Sequence, residues 1–99
     1  MAANRADTIG FAVRGPIERE DLPALYDRIC TLLEDSGAEV AICEVDGVTA
    51  DVVTAEALAR LQLVARRRGC QIRLRGAGEP LRQLIAFMGL EEVLPEDRL

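Results

Sequence analysis

Apolar and polar residues alternate from Thr8 to Arg14, with Ile9, Phe11 and Val13 on one side and Thr8, Gly10 and Ala12 on the other. That pattern predicts a strand with one well-buried face. Gly15-Pro16 breaks it, and Glu18, Glu20 and Asp21 announce a helix, in which Pro23 is tolerable only near the start. Leu22, Leu25, Ile29, Leu32 and Leu33 recur at helical spacing with Tyr26 at the edge of the stripe, and Gly37 ends the helix after Ser36. Val40–Cys43 is a short continuous apolar run, the mark of a central strand buried on both faces. Asp46-Gly47 then opens a loop expected to last until Thr54. Its Val48, Val52 and Val53 are too apolar for a simple solvated linker, and such loops at the carboxyl ends of strands are where α/β folds tend to place functional sites.

The stretch Asp51–Leu90 organises the remainder. Thr54 is the expected N-cap of a second helix, because its hydroxyl can accept from a backbone N–H one turn on. Glu56 falls in the first turn, where a carboxylate opposes the positive helix end. Leu58, Leu61 and Ala65, with Val64 beside them, form its apolar face, and Arg66, Arg67 and Arg68 load its last turn before Gly69. Ile72 and Leu74 alternate with Gln71, Arg73 and Arg75 as a half-buried strand. Gly76 and Gly78 turn the chain, Pro80 fits a first helical turn, and Leu81, Leu84, Ile85 and Met88 make a third apolar stripe, capped by Gly89-Leu90. In the closing segment after it, Val93 and Leu94 are expected to pack down before Pro95.

Strand and helix therefore alternate three times. This implies an α/β domain with a small, mostly parallel sheet, its crossovers right-handed and its helices mainly on one face. Residues 8–99 are expected to form this one domain and residues 1–7 a flexible tail. The three helical stripes should share a core with Ile9, Phe11, Val13, Ile42, Ile72 and Leu74.

Composition narrows the function. The 99 residues carry a formal charge of −5, which argues against general nucleic-acid binding. No apolar run reaches the roughly 20 residues of a membrane span, and Met1–Gly10 lacks the pattern of a secretion signal, so a cytoplasmic protein is expected. Charge is unevenly spread: residues 1–56 hold twelve acidic side chains against four basic, and residues 57–99 hold five against eight. Every cation is Arg. Those of residues 66–68 suit the end of a helix and solubility, whereas Arg73 and Arg75 point the same way on a strand and form a basic patch if that sheet face is open. With no His and no Lys, the commonest general base and the Schiff-base nucleophile are both missing, so an enzyme is not expected. Cys30, Cys43 and Cys70 are odd in number and lie in apolar segments, which predicts reduced, buried thiols; Cys43 and Cys70 could be neighbours on adjacent strands. Asp46, Asp51 and Glu56 could converge on a hard cation but lack a calcium-loop pattern. Gly76-Ala77-Gly78 lacks the Lys and the length of a phosphate loop. No cofactor is expected.

The order and spacing of several of these features resemble the STAS domain, the family of bacterial anti-sigma-factor antagonists and of the cytosolic tails of sulfate transporters. The residues that carry the resemblance are Val45-Asp46-Gly47-Val48-Thr49, Ala57-Leu58-Ala59-Arg60-Leu61, Arg68-Gly69, the strand to Leu74, Leu81 to Leu84, and Gly89-Leu90. It implies a regulatory, protein-binding module whose partner covers Asp46, Thr49, Asp51, Val53, Thr54, Glu56, Ala57 and Arg60. In the family an Asp-Ser or Asp-Thr pair lies at the start of the second helix, and a partner kinase phosphorylates the hydroxyl. One alignment puts Thr54 at the family's Asp and Ala55 at its acceptor; another leaves Thr54 near the acceptor with Val53 in place of Asp. Neither restores the pair, so a degenerate phosphorylation site at Thr54 is implied. The implied partner is a kinase-like anti-sigma factor in the regulation of transcription. The alternative is the ATPase of a lipid-type ABC transport complex, to which the protein would be an accessory subunit without inserting into the membrane itself. Self-association through the open sheet face or edge is a further option.

Overall fold

The computed structural model of the protein describes residues 8–97; the expected tail at residues 1–7 lies outside the described residues. Three strands, β1 (Thr8–Arg14), β2 (Val40–Gly47) and β3 (Gln71–Arg75), form one sheet in the order β1-β2-β3, with both pairs parallel. Between and after them come α1 (Leu22–Ser36), α2 (Val52–Arg67) and α3 (Glu79–Phe87), with a short 3-10 turn at Arg19–Asp21 leading into α1. β2 is the central strand, as its continuous apolar run implies.

One sheet face carries the core. Val13, Ala41, Cys43, Val45, Ile72 and Leu74 pack beneath Ile29 and Leu33 of α1, Leu58, Leu61 and Ala65 of α2, and Leu81 and Ile85 of α3, with Ile9 and Phe11 partly buried against them. All three helices therefore lie on the same side, which requires both crossovers to have the same hand. Four expected core members are corrected: Leu32 and Met88 are half-buried and stand outside the core, and Ile42 and Leu84 are turned from it. Ile42 is buried but belongs to the opposite sheet face, because side chains alternate along β2 and Ala41, Cys43 and Val45 take the helical side. Leu84 is only half-buried, since Leu81 and Ile85 hold the inward positions of α3. The cysteines are not cross-strand neighbours either: Cys43 pairs with Phe11 and Leu74, while Cys70 precedes β3.

The outer side of β3 is sealed by two devices. Leu74 donates its N–H to the Pro95 carbonyl (2.9 Å) and accepts from the Asp97 N–H (2.8 Å), so the closing segment runs as a further parallel bridge. One step earlier the side chain of Gln62, fully buried on α2, does the work of a strand. Its Oε1 accepts from Ile72 N–H (2.8 Å), and its Nε2 donates to the Ile72 carbonyl (2.9 Å) and the Val93 carbonyl (2.8 Å). Every polar atom of this amide is engaged, which is the condition for burying it without loss.

Candidate protein-interaction site

The carboxyl end of the sheet is shaped by close backbone packing. β1 pairs Ala12 with Glu44 but Arg14 with Gly47, so β2 holds one extra residue there and bends. Gly15 donates its N–H to the Gly47 carbonyl at 3.1 Å. A Cβ on Gly15 would come within 3.0 Å of the Thr49 amide nitrogen, and one on Gly76, at φ +81°, within 3.1 Å of the Asp46 Cβ. The segment from Asp46 to Thr49 is thus held between two glycines that leave no room for side chains. The loop forms a closely packed, exposed ledge: Asp46, Thr49 and Ala50 face solvent, while Val48 packs partly against the core.

The connection is shorter than the sequence suggests. β2 extends to Gly47 and α2 begins at Val52, leaving Val48–Asp51 as the loop. The N-cap is Asp51, not Thr54: its backbone is extended (φ −135°, ψ 171°) and its Oδ1 accepts from Thr54 N–H at 2.8 Å. A carboxylate is the better cap because it also opposes the helix dipole. Thr54 is consequently the third helical residue, turned inward and fully buried, with no partner for its hydroxyl among the described residues.

Of the residues expected to meet a partner, the structure brings Asp46, Thr49, Glu56 and Arg60 to the surface. Asp51 and Val53 are half-buried, the one as cap and the other against the core. Thr54 and Ala57 are withdrawn into the interior, because they fall on the inward side of α2 with Leu58 and Leu61. Along the outward side run Val52, Glu56, Ala59, Arg60 and Leu63. Val52 is 47% exposed and Leu63 54% exposed, so this side leaves two apolar side chains to solvent. Glu56 approaches Arg19 at 3.7 Å. Tyr26 lies near both Glu56 and Arg60 in the α1–α2 seam; burial pushes its phenol up, with Arg60 opposing and Glu56 reinforcing.

The arginines sort into engaged and free. Arg68 closes the far end of the helical layer on Glu34 (2.7 Å), and that bond, helped by the Cys30 thiol, holds the Glu34 carboxyl below its usual range. Arg75 pairs with Asp97 (2.7 Å) and Arg73 donates to the Gln71 side chain (2.9 Å), so the expected basic patch on the sheet is largely occupied by neighbours within the chain. Arg60, Arg66 and Arg67 are exposed with no ion pair among the described residues. Asp46, Asp51 and Glu56 do not converge: no described group of three His, Cys, Asp or Glu side chains is placed to hold a metal ion. Gly76-Ala77-Gly78 is a turn into α3, with Gly78 as its N-cap. Cys43 and Cys70 are buried, and burial raises both thiols, Cys43 to about 12.

The chain is thus a one-sided parallel α/β layer with an exposed ledge at the head of its middle helix. The family model described as "Mlab, STAS domain" matches residues 2–96, and the chain belongs to the STAS domain family. STAS domains mediate protein–protein contacts. No curated protein matches the chain. No helix among the described residues is long and apolar enough to cross a membrane.

Proposed function

We propose that the protein is a non-catalytic regulatory module that binds a protein partner through the ledge and the outward side of α2, at Asp46, Thr49, Glu56 and Arg60. The observation that carries this reading is the glycine-clamped ledge, which continues into a helix ridge with exposed Val52 and Leu63. A preformed surface loses little entropy on docking. The family's phosphoswitch is not expected to operate at Thr54. Its hydroxyl is fully buried, so a kinase would have to unwind the first turn of α2 to reach it.

The first partner reading is a kinase-like anti-sigma factor, with the protein as a cytoplasmic antagonist that binds without phospho-control. A second reading, the ATPase of a lipid-type membrane transport complex, is favoured by the same buried hydroxyl, since a standing subunit needs no switch. It also accords with the family description, which names Mlab. The test is affinity isolation of the tagged full chain from its native cells, beside a Thr49→Arg, Glu56→Arg variant that is folded by circular dichroism. Loss of one stoichiometric partner in the variant supports the reading, and the partner's identity separates anti-sigma factor from ATPase. Equal capture by both proteins would reject the surface.

A further inference from the structure

The outward ridge of α2 borders a groove that the ledge does not use. Glu56, Ala59, Arg60 and Leu63 line one wall, and Met88 and Leu90, at the end of α3, line the other, around a volume of about 410 Å³. Four of these six lining residues are apolar. Leu63, one of them, is 54% exposed. Leaving Leu63 in water beside Met88 and Leu90 costs solubility, and adjoining exposed apolar groups mark contact surfaces more often than scattered ones do.

Charge identifies the occupant. Arg60, Leu63, Arg66 and Arg67 are neighbours on the helix surface by their spacing of three, four and seven residues. The three arginines have no carboxylate partner among the described residues, whereas Glu56, the acidic lining residue, is within 3.7 Å of Arg19. Beyond Leu90, Glu91 and Glu92 are exposed with no ion pair among the described residues and Glu96 is held by Arg82 at 3.5 Å, which leaves two unpaired carboxylates against three guanidinium groups. The groove is therefore apolar within and cationic along one rim, although the whole chain carries a formal charge of −5. We propose that this groove takes an acidic amphipathic helix of a protein partner. The helix would lay apolar side chains at positions i, i+3/i+4 and i+7 against Leu63, Met88 and Leu90, and set Asp or Glu opposite Arg60, Arg66 and Arg67. The proposal rests on the reading of the protein as a binding module and shares Glu56, Arg60 and Leu63 with that surface, while Met88 and Leu90 belong to the groove and Asp46 and Thr49 to the ledge.

The experiment uses the full chain and two synthetic helical peptides of about 18 residues, or five turns. Both have the same leucine stripe, one flanked by Glu and the other by Lys. Fluorescence anisotropy at low salt should show the Glu peptide binding at least tenfold tighter than the Lys peptide, and weakening as salt screens the rim. Leu63→Asp should weaken it tenfold or more. Arg60→Glu with Arg67→Glu should reverse the preference between peptides; both variants alter exposed residues and are checked for unchanged melting. Equal binding of the two peptides, binding indifferent to Leu63→Asp, or no binding of either overturns the proposal. So does binding to vesicles containing anionic phospholipid in place of the Glu peptide. If the groove fails while partner capture is still lost in a Thr49→Arg variant, altered at a residue outside the groove, the module reading stands and the groove assignment falls.

Discussion

Replacing Gln62 with Leu isolates the contribution of one side chain to the sheet. The substitution keeps a side chain of similar reach on α2 and removes three hydrogen bonds of 2.8–2.9 Å at once. The Ile72 N–H and the Ile72 and Val93 carbonyls are left facing hydrocarbon. Each buried group without a partner costs about 1–3 kcal/mol, with carbonyls toward the low end, so the three together lose roughly 3–6 kcal/mol. Burial of the added apolar surface offsets about 1–2 kcal/mol of this. The net loss is about 1–5 kcal/mol, a large share of the roughly 5–15 kcal/mol that keeps a domain folded. Urea unfolding should show a lower midpoint at an unchanged slope, because the surface exposed on unfolding barely alters. Hydrogen exchange adds the site: the Ile72 amide should lose protection well before those of β2. Gln62→Glu is the companion variant. Its carboxylate can accept from the Ile72 N–H but can donate to neither carbonyl until it is protonated. Burial therefore raises the carboxyl's pKa in the folded state, and the deficit grows as pH rises from the ordinary carboxylate range and shrinks on acidification. A loss below about 1 kcal/mol in Gln62→Leu, with Ile72 protected as before, would refute the reasoning.

Three further outcomes are expected. Thr54→Val removes a buried hydroxyl without a partner while keeping its shape and should be neutral or stabilising by up to about 1 kcal/mol, whereas Asp51→Ala removes the cap and should cost about 0.5–2 kcal/mol; thermal melts of the two decide where the cap lies. Leu61→Ala, at a fully buried position, should cost about 2–5 kcal/mol, and Leu84→Ala less than half as much, by urea titration. Because the Cys43 thiol is raised to about 12, the folded state keeps a proton that the unfolded chain releases from about pH 9, so stability falls between these values by up to about 1.4 kcal/mol per pH unit. Cys43→Ala should flatten that slope in pH-dependent melts, and native Cys43 should resist thiol reagents.

Much of the fold is legible because most segments state their period clearly. Ile72 and Leu74 alternate with polar residues, Leu58, Leu61 and Ala65 keep helical spacing, and Gly37, Gly69 and Gly89 take the left-handed conformation that ends a helix. What stayed hidden lacks a local signature. Val40–Cys43 is apolar throughout and carries no phase of its own; the exposed Glu44 and Asp46 further along β2 set it, and they put Ile42 on the face away from the helices. Asp51 and Thr54 are both good caps three residues apart, and only the backbone conformation at Asp51 chooses between them. Gln62 follows Leu58 by four residues and precedes Ala65 by three, so its place on the inward stripe was readable, but its partners on β3 and at Val93 come from distant parts of the chain. Leu63 gave the converse signal, an apolar residue off the stripe, and it marks the groove. Thr54 reads as a cap only when the helix is started one turn late, whereas the inward position of Ala57, four residues before Leu61, is readable from the spacing.

The seal on β3 also sets a direction for assembly. A strand from another molecule can join a sheet only where a row of backbone donors and acceptors stands vacant. On this border that row is spent, partly by a side chain and partly by the chain's own last residues. Polymerisation by strand addition therefore has no foothold beyond β3 while residues 93–97 stay in place. Proteolysis or truncation ahead of Pro95 would change the outcome in kind. The protein would keep its helical layer and its ledge but gain an adhesive border, and would fail by forming aggregates rather than by losing the surface that meets its partner.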